Sequence, residues 1–167
     1  KHFAAGNTIV VISAMGKVTN ALEKLADAVF YKTTAPAPIL EEIKKYHFDI
    51  IRELFPSPQH PIYNEISNTF VELDWAIEDE LTENYDYEYD KIVSMGEIIA
   101  TKIVSAYLNE IGIPSKWWDA RDVIQTDNSY REGKVNWELT QQLVTEKLLP
   151  QFSASGNNIV ITQGFIG

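Results

Sequence analysis

The fold is decided by the stretch from Ile9 to Asn20, which reads IVVISAMGKVTN. Its four β-branched residues, 9–12, predict a fully buried strand of the kind found in parallel sheets. The polar turn that follows contains a glycine and hydroxyl groups, and Thr19 or Asn20 is expected to cap a helix. Unpaired N–H groups and the positive end of a helix dipole meet at such a turn. The stretch therefore predicts a small anionic ligand.

Composition and charge exclude several classes of function. The 167 residues suffice for one domain, and 45% hydrophobic and 23% charged residues are ordinary for a globular protein. A net charge of −10 without a basic cluster argues against nucleic acid or an anionic membrane as partner. No apolar run reaches the roughly 20 residues that a spanning helix needs. Cysteine is absent, so we expect no disulfide and no cysteine-based zinc site, and a cytoplasmic location.

Apolar residues recur mostly at helical spacing between the two ends of the chain. Predicted helices cover 21–32, 40–55, 62–77, 98–111 and 135–150, and predicted strands cover 9–12, 113–118 and 158–162. A proline-bearing linker is expected at 33–38, and the alternating tyrosines and acids of 78–90 leave that stretch open between loop and helix. In the last predicted helix we expect three leucines to face inward, Leu139, Leu143 and Leu148.

This order of elements predicts an α/β fold, a three-layer α/β/α sandwich with a mostly parallel sheet. A helical insert is expected at about residues 33–95. Because both ends of the chain lie close to predicted strands, we expect a fragment or the ordered core of a longer protein. This architecture hosts many functions, so the function has to be argued from sites.

The turn at residues 13–20 is the first candidate site. Gly16 and Lys17 suggest a phosphate-binding P-loop. However, Val18 stands where that motif needs serine or threonine, and Val11 stands where it needs glycine, so the motif is absent. Two interpretations remain open: the turn binds a carboxylate or phosphate, or it only caps a helix.

Two acidic segments are further candidates. Glu97 follows Gly96 at the start of an apolar helix, where it either stabilises the helix dipole or holds a cationic group such as an amine. Asp119–Asp122 follows a predicted strand, where α/β proteins bind ligands, although such residues are also typical of loop ion pairs and Asx turns. The three histidines lack metal-ligand spacing, and no Ser-His-Asp arrangement can be drawn.

Four segments together resemble the aspartate kinases in order and in spacing. They are residues 13–20 (SAMGKVTN), 96–97 (GE), 118–127 (WDARDVIQTD) and 162–167 (TQGFIG). The resemblance spans almost all of the chain, and it is greater to the lysine-sensitive monofunctional enzymes than to those fused to homoserine dehydrogenase. It implies the amino-acid-kinase fold and ATP-dependent phosphorylation of the L-aspartate β-carboxylate, the first step of lysine, threonine and methionine biosynthesis.

The resemblance also implies an aspartate pocket in this chain, with no catalytic and no metal-binding residue. Thr19 and Glu97 match residues that bind aspartate, and Glu97 would meet its α-amino group. Four further residues match others that line the pocket, namely Ser13, Ala14, Gly164 and Phe165. ATP and Mg²⁺ are the implied cofactors, held mainly by segments that this sequence lacks, and a homo-oligomer is implied for the full-length protein.

Residues 1–167 depart from the family pattern at both ends. The family's Lys-Phe-Gly-Gly-Thr-Ser strand with its catalytic lysine is absent, and so are the Arg-Gly-Gly-Ser-Asp segment, the nucleotide-binding half and the regulatory ACT domains. We therefore expect the aspartate-binding part of a kinase domain, without turnover when alone. The alternatives are a relative acting on glutamate, carbamate or a nucleotide, and a non-catalytic small-molecule-binding or interaction domain.

Overall fold

The structure is a computed structural model that describes residues 6–154 and 159–164. The elements within these residues are β1 Thr8–Ile12, α1 Val18–Tyr31, α2 Pro36–Leu54, α3 Ile62–Glu78, α4 Tyr85–Val93, α5 Met95–Glu110, β2 Lys116–Trp117, α6 Trp137–Leu143, α7 Leu149–Ala154 and β3 Ile159–Gln163. A 3₁₀ turn at Ala120–Asp122 follows β2, and a π-helical turn at Val144–Leu148 joins α6 to α7. The predicted strands and the first four predicted helices are confirmed as elements with shifted bounds, whereas the helix predicted at 135–150 is divided into α6, the π-helical turn and α7.

The three strands form a parallel sheet in the order β1-β3-β2. The middle strand β3 pairs with β1 over five residues and with β2 over two. Because parallel strands run in one direction, they all end at the same edge of the sheet, here called the carboxyl edge. The chain leaves this edge after Ile12, Trp117 and Gln163.

Helices cover both faces of β3. On one face, the Gln163 side chain donates a hydrogen bond to Thr101 of α5. On the other face, Val160 packs with Leu148 of the π-helical turn and Phe152 of α7. The predicted α/β/α sandwich with a parallel sheet is therefore confirmed.

The prediction that β1 is fully buried is wrong. The side chains of Ile9 and Val11 are 48% and 61% exposed. In the register they lie beside Val160 and Thr162 of β3, on the face where Val160 packs against α7. That helical layer buries the middle strand and leaves this face of β1 open. A β-branched run encodes a strand, whereas its burial depends on which helices cover it.

The main apolar core lies among the five helices α1–α5. Each of them contributes fully buried side chains, including Leu22, Leu25, Ile51, Ile66, Leu73, Ile92, Ile99 and Ile103. Burying one such side chain stabilises the fold by about 1.5–3 kcal/mol. The segment predicted as an insert, residues 33–95, contains α2, α3 and α4 and shares this core with α1 and α5. No helix in the described ranges is both long enough and apolar enough to span a bilayer.

The expectation that Thr19 or Asn20 caps the first helix is wrong. Helix α1 begins at Val18, its N-cap position is Lys17, and no side chain makes a cap hydrogen bond there. Gly16 adopts a φ of +56°, a left-handed conformation that glycine adopts at little cost. The chain therefore turns sharply enough to start the helix at once, and Thr19 and Asn20 lie inside its first turn.

Three other predicted details are corrected by the structure. Helix α2 begins inside the predicted linker, because Pro36 occupies its first position, where a missing N–H costs nothing. Strand β2 contains two residues rather than six. Leu139 is 38% exposed, whereas Leu148 is buried. The π-helical turn at Val144–Leu148 follows Leu139 and changes the rotation per residue, so one regular helical period does not relate Leu139 to Leu148.

The acidic, tyrosine-rich stretch that the sequence left open contains helix α4. Asn84 caps it by accepting hydrogen bonds from the N–H groups of Asp86 and Tyr87. This is the side-chain capping that favours asparagine at a helix start.

Helix α4 is attached to α1 by two hydroxyl–carboxylate hydrogen bonds. Tyr85 donates to Asp27 over 2.5 Å, and Tyr89 donates to Glu23 over 2.6 Å. Residues four apart lie on one face of a helix, so both bonds connect the same pair of faces. The alternation of tyrosines and acids thus encodes a helix that docks through its tyrosines.

We expect Tyr89→Phe to lower the free energy of unfolding by about 1 kcal/mol, because one partly buried hydrogen bond is lost. Burial and the Glu23 carboxylate raise the pKa of Tyr89 from 10.0 to about 12. The folded state therefore holds the phenol proton more tightly than the unfolded state. The contribution of the Tyr89 hydroxyl to the free energy of unfolding is complete below about pH 10 and is lost as the pH rises through about 12.

Urea unfolding at neutral and alkaline pH tests this expectation. Tyr87→Phe on the same helix is the control, because the Tyr87 side chain is 37% exposed. Its effect should stay within about 0.5 kcal/mol. Equal effects of the two variants would contradict a stabilising Tyr89–Glu23 bond.

Candidate functional site

The carboxyl edge brings the turn after β1 against the first turn of α5. The N–H of Ala14 donates a hydrogen bond to Oε1 of Glu97 over 3.2 Å, although the two residues are 83 positions apart. The Glu97 side chain is buried, with 3% exposure. Its Oε2 atom is also buried and has no hydrogen-bond partner among the described residues. An unpaired buried carboxylate oxygen is costly, so it marks a position suited to a donor from a ligand.

Gly96 permits this contact. A Cβ atom at this position would lie 2.9 Å from Cδ1 of Leu22 and 3.1 Å from Cβ of Ala14. Glycine inside a helix costs about 0.5–1 kcal/mol relative to alanine. Glycine is required at this position despite that cost, because α1 and the turn after β1 both pack closely against α5 here. The Gly-Glu pair thus combines close packing with a buried carboxylate.

Burial raises the pKa of the Glu97 carboxyl group. The hydrogen bonds from the N–H of Ala14 and from its own backbone N–H act in the opposite direction without cancelling the effect. A positive charge close to Oε2 would favour the ionised form again, because opposite charges stabilise each other. The electrostatics of this position therefore suit a cationic ligand group.

Gly164 lies at the same edge, directly after β3. Its N–H donates to the carbonyl oxygen of Ile12 over 3.3 Å. A Cβ atom at position 164 would lie 3.2 Å from Cγ1 of Val11. Gly164 therefore lies beside the end of β1, next to the turn with Ser13, which is exposed, and Ala14, which is half-buried.

The other two residues of the expected aspartate pocket are Thr19 and Phe165. Thr19 is half-buried in the first turn of α1. A Cβ atom at position 96 would lie 3.4 Å from Cγ1 of Val18, the residue before Thr19. Within the described ranges, no hydrogen bond joins Thr19 to Glu97. Phe165 lies outside the described residues. The structure thus brings Ser13, Ala14, Glu97 and Gly164 to one edge and places Thr19 on the adjoining helical turn.

Sequence reasoning missed a buried polar group behind this edge. Thr101 lies one helical turn after Glu97 and is fully buried. Its hydroxyl oxygen accepts hydrogen bonds from Nε1 of Trp117 over 2.9 Å and from Nε2 of Gln163 over 3.0 Å. The available signal was a threonine in the middle of an apolar helix, four residues after the glutamate.

The acidic segment after β2 proves to be an internal ion pair. Oδ1 of Asp119 accepts from the N–H of Arg121, and its other oxygen contacts the guanidinium over 2.6 Å. Burial raises the pKa of the Asp119 carboxyl, but the Arg121 hydrogen bonds lower it further, so that it lies below its ordinary value. The interpretation as a loop ion pair with an Asx turn is confirmed.

A cavity of about 790 Å³ lies elsewhere, between α3, α4 and residues 121–135. Its three cationic side chains pair with carboxylates of the chain itself: Lys91 with Glu88, Arg121 with Asp119, and Arg131 with Asp86. The cavity is not lined by Glu97 or by the other described residues of the expected aspartate pocket. Residues 6–154 and 159–164 contain no cluster of three or more His, Cys, Asp or Glu side chains that could hold a metal ion.

Comparison with known proteins identifies one family and several similar aspartokinases. Residues 1–167 match the profile of the amino acid kinase family. Lysine-sensitive aspartokinase 3 of Escherichia coli (strain K12) is 28% identical over 160 residues, which are 95% of this chain and 34% of that protein. Chloroplastic aspartokinase 1 of Arabidopsis thaliana is 31% identical over 173 residues, which are 99% of this chain and 29% of that protein. The chain thus spans about a third of the length of these relatives.

Two crystal structures of Escherichia coli aspartokinase III are similar to most of this chain. The structure in complex with lysine and aspartate (T-state) has a TM-score of 0.78 at 26% identity and covers 93% of this chain and 34% of that chain. The structure in complex with aspartate and ADP (R-state) has a TM-score of 0.79 at 26% identity, with 93% and 33% covered.

We expect Gly96→Ala to destabilise the chain by about 1 kcal/mol or more. The added methyl group would overlap buried Leu22, and overpacking costs about 1–3 kcal/mol, more than the gain of about 0.5–1 kcal/mol in helix propensity. Urea unfolding measures the difference. Gly6→Ala is the control, because no atom lies within 4 Å of its Cβ position. Equal stability of Gly96→Ala and the wild type would show that the close approach is not required.

We expect Glu97→Gln to raise the free energy of unfolding at neutral pH by about 1 kcal/mol, because a buried charge is removed while an acceptor for Ala14 remains. The pKa of Glu97 is raised on folding, so its contribution to stability is greatest in acid and is lost as the pH rises. The advantage of the variant should therefore disappear below the ordinary pKa range of glutamate.

Thermal unfolding from neutral pH down to below the ordinary pKa of glutamate measures the stability difference between Glu97→Gln and the wild type. Glu88→Gln is the matched control. Glu88 is equally buried, but its Oε2 lies 3.1 Å from the ammonium of Lys91. Burial raises the pKa of Glu88, whereas hydrogen bonds from Thr82 and Lys91 lower it below its ordinary value. Glu88→Gln should therefore destabilise at neutral pH. A destabilised Glu97→Gln chain would contradict the cost assigned to the unpaired carboxylate.

Proposed function

The chain belongs to the amino acid kinase family, and from this premise we propose that it forms the aspartate-binding part of an aspartokinase. The proposed reaction is the ATP-dependent phosphorylation of L-aspartate at its β-carboxylate, which yields 4-phospho-L-aspartate. The relatives named above are aspartokinases, and the two similar crystal structures contain aspartate. The observation that carries the proposal is the buried, unpaired Oε2 of Glu97 at the carboxyl edge.

Glu97 is proposed to bind the α-ammonium group of aspartate. An ammonium group has donors only, and Oε2 is an acceptor without a partner among the described residues. Because the N–H of Ala14 already holds Oε1, the second oxygen remains for the ligand. A hydrogen bond between two charged groups is about twice as strong as a neutral one. It would also lower the raised pKa of the carboxyl group and so offset the cost of burying Glu97.

The carboxylates of the ligand are proposed to lie against the turn after β1 and the start of α1. Helix α1 has no side-chain cap and no acidic residue in its first turn. The N–H of Val18 donates to the carbonyl oxygen of Met15. The N–H groups that follow it in the first turn and the positive end of the dipole remain suited to an anion. The Thr19 and Ser13 hydroxyls are proposed to add hydrogen bonds, and Gly164 and Phe165 to complete the wall. The missing cap, which contradicts the first prediction for this turn, supports its use as a ligand site.

The chemistry requires no general base from this chain. An oxygen of the β-carboxylate attacks the γ-phosphorus of ATP, the bond from that phosphorus to the bridging oxygen of ADP breaks, and an acyl phosphate forms. The attacking group is ionised near neutral pH because the reference pKa of an aspartate side chain is about 3.9. The task of the residues described above is to bind and orient the nucleophile, which phosphoryl transfer depends on.

Nucleotide and metal are assigned mainly to the rest of the protein. ADP is present in a similar crystal structure, which supports ATP as the phosphoryl donor. The described part of this chain has no cluster of three or more His, Cys, Asp or Glu side chains for a metal ion, so its residues are assigned to the aspartate rather than to Mg²⁺. A lysine-sensitive relative supports a role in lysine biosynthesis, and we propose a cytoplasmic homo-oligomer of the monofunctional type.

Calorimetric titration with L-aspartate tests the proposal, with the chain and with the full-length protein that contains it. We expect the wild type to bind and Glu97→Gln to lose roughly tenfold or more in affinity, because a charge-assisted hydrogen bond contributes about 1.5–3 kcal/mol. Succinate, which lacks the ammonium group, should bind weakly and similarly to both. L-Glutamate tests whether a longer acid is the true ligand.

Glu88→Gln is again the control, because Glu88 is buried on α4 and pairs with Lys91. Its aspartate affinity should match that of the wild type. A full-length protein that binds no aspartate would refute the proposed function. An undiminished aspartate affinity of Glu97→Gln would refute the role of Glu97.

A further inference from the structure

Thr101 connects three parts of the fold behind the proposed aspartate site. Its single hydroxyl proton is shared between the carbonyl oxygens of Glu97, over 2.8 Å, and Ile98, over 3.0 Å, in its own helix. The same oxygen accepts from Trp117 of β2 and Gln163 of β3. Thr101 is fully buried, so these bonds form away from water, where an unmade bond is most costly.

Gln163 extends this connection to the turn after β2. Its Oε1 atom accepts from the N–H of Ala120 over 2.7 Å, while its Nε2 donates to Thr101 over 3.0 Å. Both polar ends of the buried Gln163 side chain are therefore engaged. Gln163 is the last residue of β3, and Gly164 follows directly at the carboxyl edge.

Trp117 is held on its other side as well. The ammonium of Lys102 lies 5.1 Å from the centre of a Trp117 ring and donates to Thr69 of α3 over 2.9 Å. A cation over an indole face is attracted to it. The ring that carries the indole N–H to Thr101 is therefore also in contact with Lys102.

We propose that Thr101 is a positioning residue that holds Glu97 and Gly164 at the separation aspartate requires. This inference rests on the proposed function. Glu97 begins the helical turn whose carbonyl Thr101 binds, and Gly164 follows the glutamine that binds Thr101. The two sides of the site are thus joined through one hydroxyl group that does not itself line the turn after β1. Small displacements of binding groups weaken binding strongly because hydrogen bonds depend on geometry.

The test compares Thr101→Val and Thr101→Ser by calorimetric titration with L-aspartate, in the full-length protein at a temperature where both are folded. Valine keeps the shape but leaves the donors of Trp117 and Gln163 without an acceptor, whereas serine keeps the hydroxyl group. We expect aspartate affinity to fall roughly tenfold in Thr101→Val and to remain within about twofold of the wild type in Thr101→Ser. In kinetic assays, the KM for aspartate should rise more than the KM for ATP.

Ser105→Ala is the matched control for general destabilisation. Ser105 is a buried hydroxyl one turn further along α5, where it lies 3.4 Å from the hydroxyl of Ser115. Its loss should lower the melting temperature without changing aspartate affinity. Trp117→Phe removes one of the two donors to Thr101, together with part of the ring that Lys102 contacts. It is expected to give an intermediate loss of affinity, which keeps the test informative where Thr101→Val fails to fold.

The outcomes separate this inference from the proposed function. A wild-type protein that binds no aspartate would overturn the proposed function and this inference together. A wild type that binds, together with Thr101→Val of equal affinity, would overturn only the positioning role. Equal losses in Thr101→Val and Ser105→Ala would also overturn it, because the effect would then follow stability rather than position.

Discussion

The hydrogen bond from the N–H of Ala14 to Glu97 is the interaction on which the rest of the site depends. It joins the turn after the first strand to the start of α5 across 83 positions of the chain. Only a glycine at position 96 allows the two segments to come this close, because a Cβ atom there would meet Leu22 and Ala14. The same contact positions one carboxylate oxygen and leaves the other unpaired within the described fold.

This arrangement sets stability against the proposed function. A buried carboxylate oxygen without a partner costs free energy in the ligand-free chain, as the raised pKa of Glu97 also indicates. The large core of α1–α5 supplies the stability that tolerates it, because many apolar side chains there are fully buried. Strain or unpaired polarity of this kind is typical of functional sites, where a ligand completes the interactions.

Local patterns predicted those features that neighbouring residues control. The apolar period of residues 62–77 predicted α3. The layered α/β order also followed from the elements alone. The candidate site did not. From the residues alone, Glu97 fitted a helix-dipole role as well as a ligand role, and only the resemblance to aspartate kinases favoured the second.

By itself, the sequence thus determined the element types and the parallel α/β architecture, whereas the residues of the candidate pocket were proposed only from the family resemblance. Tertiary structure alone decided that β1 is exposed on one face, that α1 has no side-chain cap, and that Thr101 meets Gln163. The physical reason is range. Helical period and turn residues act over a few positions, whereas burial and buried hydrogen bonds depend on elements that pack together from distant parts of the chain.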